Sequence, residues 1–137
     1  MRETVVQNLI KRFDSYAELI GIDVNLSQKL DAPKHKSLGE HLWCVVGARE
    51  SYAKALRSGG WDGFNCSMTE FLQTDFIEKL QTSAEDVKDA IKQIDDWTQN
   101  RELLLLELSD HEVMHEGQII RHLYGLGCEI PASVKWA

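Results

Sequence analysis

Phe76, Leu80, Ser83, Val87, Ala90, Ile94 and Trp97 follow one another in alternating steps of four and three. Such a seam can be turned toward a neighbour only by a helix. The same period governs the rest of the chain, and no stretch shows the strict alternation of a half-buried strand. The spacing predicts a first helix from about Glu3 to Ile20, with Val6, Leu9, Phe13, Tyr16 and Ile20 inward and Gly21 as its stop. A loop follows from Asn25 to His35, with His35 beside Pro33 in solvent. Ser37 is a good N-cap for a second helix, with Glu40 three residues on to form a capping box. That helix runs to about Arg57, carries His41, Cys44/Val45, Ala48, Tyr52 and Ala55 inward, and stops at Ser58-Gly59-Gly60.

A long connection from Gly59 to Gln73 holds Trp61, Gly63, Phe64 and Cys66, a composition that predicts a packed segment rather than a loose one. The third helix starts at Thr74 or Asp75, with an alternative start at Thr82, where Glu85 would close a second box. The fourth runs from about Arg101 to Leu126, with Gly127 as its stop and Leu104, Leu108, His111, His115, Gln118 and His122 as its stripe. Four amphipathic helices with one long crossover, between the second and third, predict an all-α four-helix bundle filling residues 1–137 as a single domain. The short joints elsewhere are expected to make neighbouring helices antiparallel.

The 137 residues, 43% of them hydrophobic, suffice for a core without staples. Acidic residues outnumber basic ones, 22 to 15, and no Lys/Arg stripe is present, so nucleic acid is not an expected partner. The longest apolar run, Leu103 to Leu106, is far too short to span a bilayer. No apolar segment follows Met1 to make a signal peptide, and three cysteines, Cys44, Cys66 and Cys128, read as free thiols of a cytoplasmic protein. Trp43, Trp61, Trp97 and Trp136 are much indole for a chain this size. Trp97, on the seam, reads as core; the others read as core or interface, as in a structural dimer module.

Chemistry is spelled out in His111-Glu112-Val113-Met114-His115-Glu116-Gly117-Gln118. Residues four apart lie one above the other on a helix, so the two imidazoles can grip one metal ion. Leaving both buried without a partner would cost at least a few kcal/mol. The string matches the H-E-x-x-H zinc-protease pattern, which needs Glu112 as general base and a further ligand downstream. The downstream spacing fails: the longer form wants Gly and His three and six residues after the second His, but Gly117 and His122 fall at two and seven. Glu116 and Glu129 are the only downstream carboxylates left. Glu112 then reads as a solvated carboxylate or one that orients a ligand. Within a bundle the pair faces another helix, and only the second offers ligand-type residues, His41 and Cys44.

His-x-x-x-His-x-Gly-Gln, continued by Ile119-Ile120-Arg121-His122-Leu123-Tyr124-Gly125-Leu126-Gly127 and Ile130-Pro131, resembles the last helix of the DinB/YfiT-like superfamily. Ser37-Leu-Gly-Glu-His-Leu-Trp-Cys-Val-Val-Gly-Ala-Arg-Glu50 is similar to its second. The resemblance implies a bundle, often dimeric, with a divalent metal at one end held by three histidines, one from the second helix and two from the fourth. His111 and His115 match the latter two; the usual third position falls on Cys44, with His41 one turn earlier on the same face. The site is then Cys44-His111-His115, or His41-His111-His115, or degenerate and empty of tight metal. The resemblance further implies a metal-dependent thiol S-transferase or related hydrolase acting on a small molecule, with zinc or nickel as cofactor and a low-molecular-weight thiol as co-substrate. A metal with an open position lowers the pKa of a bound thiol or water. Glu112 or Gln118 would orient a ligand histidine, and His122, two turns past His115, would line the pocket. The competing reading is a non-catalytic, stress-related bundle or dimer that has lost its site.

Overall fold

The computed structural model describes residues 1–30 and 34–134, so Pro33 and Trp136 lie outside the described residues. Four helices make it up: α1 (Arg2–Leu19), α2 (Leu38–Ser58), α3 (Gln73–Gln93) and α4 (Gln99–Gly125), with a short 3-10 turn over Ala132–Val134. No strand occurs among the described residues, and no helix among them is long and apolar enough to cross a membrane. The fold is thus the all-α bundle that the periodicity predicts.

The helix ends follow their capping chemistry. Ser37 Oγ accepts from the Glu40 amide at 3.2 Å and starts α2. The reciprocal half of the expected box is missing, because the Glu40 carboxylate lies by Lys29 instead, at 3.4 Å. Thr98 Oγ1 accepts from the Arg101 amide and starts α4, two residues before the sequence places it. Gly59, at φ +87°, ends α2. Past α4, Gly127 adopts φ +75° and the Cys128 amide reaches back to the Leu123 carbonyl at 2.9 Å, a Schellman-type closure. α3 is continuous through Thr82, so no separate helix starts there, but it ends at Gln93, before Ile94 and Trp97. The seam is buried from Phe76 to Ala90. Trp97 lies half-buried in the joint beyond it, under the Arg2 guanidinium at 4.4 Å, and packs against the edge of the core.

α2 packs against α3 and α4, and α1 packs against α4 and α3. α1 and α2 therefore stand diagonally opposed, as do α3 and α4. Side-chain pairs give the directions. Arg2–Glu102 and Arg12–Glu116 run α1 parallel to α4, whereas His41–His115 and Tyr52–Glu107 run α2 antiparallel to it. Arg49 to the Leu80 carbonyl and Arg57 to Asp86 make α2 and α3 parallel neighbours, which is what a long crossover permits. The short α3–α4 joint leaves those helices antiparallel, as the sequence predicts, but they stand across the bundle from each other rather than in contact. Arg101 supplies the reason, since it donates to the Leu56 and Arg57 carbonyls at 2.8 and 2.9 Å and ties the start of α4 to the end of α2.

The crossover, residues 59–72, is tied down as its composition predicts, but Trp61, Phe64, Phe71 and Leu72 in it stay exposed. It folds back along α2, held by Ser51 with Asn65, by Glu50 with Ser67, and by Trp43 Nε1 donating to the Met68 carbonyl at 3.1 Å. A Cβ at Gly47 would collide with the Phe64 ring and with Cys66 Cβ, so α2 can carry no side chain there. Trp61 is exposed and stacks against Tyr52.

Two apolar clusters fill the bundle. One holds Tyr16, Leu42, Val45, Phe76, Ile119 and Leu123; the other holds Leu9, Phe13, Ala53, Leu56, Val87 and Leu105. Between them lies a charged layer. Arg49 and Glu112, both 0% exposed, form a two-pronged pair at 2.7 and 2.9 Å. One turn along α4, Glu116 pairs with Arg12 at 3.0 Å. The Arg49 guanidinium also lies over the Phe13 and Tyr16 rings, and Tyr16 Oη donates to the Glu112 backbone carbonyl at 2.7 Å.

Candidate metal centre

The histidine pair of α4 meets α2 beside the charged layer. Among the described residues, one set of three potential ligands converges: Cys44, His111 and His115, whose donor atoms all lie within 4.8 Å of one another. This group could hold a metal ion. Cys44 Sγ stands 3.6 Å from His111 Nε2. Donors at zinc-ligand distances on a tetrahedral ion would be separated by about 3.5 Å for a sulfur–nitrogen pair, so the spacing fits.

His41 takes a different place. Its Nδ1 lies 3.1 Å from His115 Nδ1, with the rings edge to face, but it does not join the converging three. If His115 ligates through Nε2, its Nδ1 carries the proton and donates to His41, which then does the orienting that a carboxylate or carbonyl does for most ligand imidazoles. His111 has no such support, since its Nδ1 is buried without a hydrogen-bond partner.

Burial dominates the electrostatics. It lowers the pKa of His41 and His111 to about 4, and of His115 to about 3. Arg49 adds to the effect at His111, His111 and His41 add to it at His115, and Lys36 adds to it at all three. At neutral pH the imidazoles are thus uncharged, the form that ligates. Burial raises the Cys44 thiol, against a smaller opposing pull from Lys36. A cation at the site would draw the thiol back toward thiolate.

Beside the triad lies a cavity of about 460 Å³, lined by Cys44, His111 and His115 together with His41, Gln118 and His122. Cys44 and His111 are half-buried, so the group opens onto this space. His122 is buried and lines the cavity, as the two-turn spacing implies; it bonds the Gln28 backbone, and its Nε2 has no hydrogen-bond partner. Gln118 is exposed on the cavity wall. His35 is half-buried in the same wall rather than free in solvent.

Glu112 is a correction. The sequence places it in solvent or behind a ligand histidine; it is fully buried on the core side of α4, and both carboxylate oxygens bind Arg49. The stripes that the sequence suggests pass through the histidines and bypass the charged layer. The buried seams run beside them: Leu38, Leu42, Val45, Arg49, Ala53 and Leu56 on α2, and Leu105, Leu108, Glu112, Ile119 and Leu123 on α4. The α2 run carries one charge in register, Arg49, and the α4 run carries two of opposite sign, Glu112 and Glu116; that was the available signal.

No protein-family model matches the chain, and no curated protein is significantly similar to it.

Proposed function

We propose that the chain is a divalent-metal-dependent protein of the DinB/YfiT-like kind, with Cys44, His111 and His115 as ligands, that transfers a thiol to a small molecule or hydrolyses one. The observation that carries the reading is the convergence of these three donors on the wall of a small-molecule-sized cavity. Three protein ligands leave a position open, as in catalytic rather than structural zinc sites. A bound zinc or nickel ion would supply Lewis acidity, lowering the pKa of a thiol or water.

The chain's own residues do the rest. His41 holds His115 in the tautomer whose Nε2 is free. The Arg49–Glu112 pair fixes the turn of α4 that carries both ligand histidines. Gln118 and His122 offer polar groups to a molecule in the cavity. A homodimer in the cytoplasm belongs to the same reading, and sedimentation at twice the chain mass would support it.

After growth with supplemented metal, elemental analysis is expected to find about one zinc- or nickel-like ion per chain. The double change His111→Ala with His115→Ala is expected to abolish loading. Wild-type protein that carries no metal would refute the reading. Thiol-transfer assays on reactive electrophiles then separate an enzyme from a metal-binding scaffold. The second reading, a bundle that binds no metal, is favoured by one observation: without a cation, burial keeps Cys44 a protonated thiol, a small apolar side chain in effect.

A further inference from the structure

The cavity beside the triad has a charge opposite to that of the chain. The chain's formal net charge is -7, yet no Asp or Glu lines the cavity among the described residues, and Lys34, Lys36 and Arg121 do. All three are exposed. Among the described residues, none of them pairs with a carboxylate; the ion pairs engage other cations. Lys36 lies close enough for its charge to be felt at His41, Cys44, His111 and His115 alike. Unpaired cations around a concave, partly dry wall focus a positive field into the space they enclose.

We infer that this cavity takes a small anionic molecule, one bearing a carboxylate or phosphate group that Lys34, Lys36 and Arg121 hold beside Cys44, His111 and His115. Carboxylate and phosphate share the relevant chemistry: Arg121 can grip either with two parallel N–H donors, and the lysines act as point charges. A volume of about 460 Å³ suits a metabolite-sized molecule. The inference rests on the reading of this cavity as the functional site and adds to it a class of substrate.

The test uses succinate, its uncharged analogue succinamide, and inorganic phosphate, each titrated calorimetrically into the full chain with zinc added and with zinc stripped. Succinate or phosphate is expected to bind roughly tenfold tighter than succinamide, about 1.4 kcal/mol, in both forms. The stronger of the two anions names the group. The advantage should shrink as salt rises. The double change Lys36→Ala with Arg121→Ala removes two exposed side chains and should bring the ratio to about one while the thermal midpoint stays. A ratio near one in the wild type overturns the inference, as does an unchanged ratio in the variant. A preference confined to the zinc-bound form also overturns it, because the ion alone would then be holding the anion. A chain that takes up no zinc but keeps its preference for the anion refutes the metal reading and supports this one.

Discussion

At the residue scale, the pair that matters most for folding is not a ligand pair. Arg49 and Glu112 place two charges in the middle of the bundle, where they receive each other and where the Leu80 carbonyl and the Phe13 and Tyr16 rings also receive the guanidinium. Removing one partner strands the other, so Glu112→Ala is expected to destabilise the chain by about 3–5 kcal/mol in denaturant unfolding. Replacing both, Arg49→Met with Glu112→Leu, should recover most of that loss, since apolar side chains can fill the layer. A single change costing under about 1 kcal/mol would show that the pair is not buried as described. His111 and His115 were legible as a pair because i, i+4 spacing is a local property of one helix. The buried pair was harder to read because it joins two helices, and a charge inside an apolar seam has meaning only when its partner's register is known.

At the element scale, two helical glycines separate packing from propensity. Gly47 lies under the crossover, where Phe64 and Cys66 leave no room for a methyl, and Gly47→Ala is expected to cost about 1–3 kcal/mol. Gly117 lies inside α4 with nothing within 4 Å of its missing Cβ, and Gly117→Ala is expected to stabilise by about 1 kcal/mol. Thermal melts of the two variants should move in opposite directions, and matching shifts would refute the placement of the crossover. Helix number, the caps at Ser37 and Gly59, and the tied-down crossover could be read from period and punctuation. Which helices stand side by side could not. That depends on Arg101 reaching the last carbonyls of α2, a contact across 45 residues that no local pattern announces.

At the scale of the whole molecule, the site sets the chain's response to acid. His41, His111 and His115 titrate below the usual 6.5 in the folded state, at about 4, 4 and 3. The unfolded chain therefore binds protons first as pH falls through 6.5, and the metal-free bundle loses stability from there down toward pH 4. Above that window these groups make stability independent of pH. The urea midpoint of metal-free protein is expected to be lower at pH 5 than at pH 7.5, and changing His41 to Phe should reduce the difference without abolishing it, since His111 and His115 remain; equal midpoints would contradict the burial of the three rings.

The central claim is that Cys44, rather than a third histidine, joins His111 and His115 around a metal ion. The most direct measurement is a cobalt(II) titration followed by absorption, because a thiolate ligand adds a near-ultraviolet charge-transfer band that imidazoles do not produce. The wild type is expected to develop this band up to about one ion per chain, and Cys44→Ser to lose it while the visible bands of bound cobalt persist. A wild-type chain that binds cobalt without the charge-transfer band, or binds none, would contradict the account.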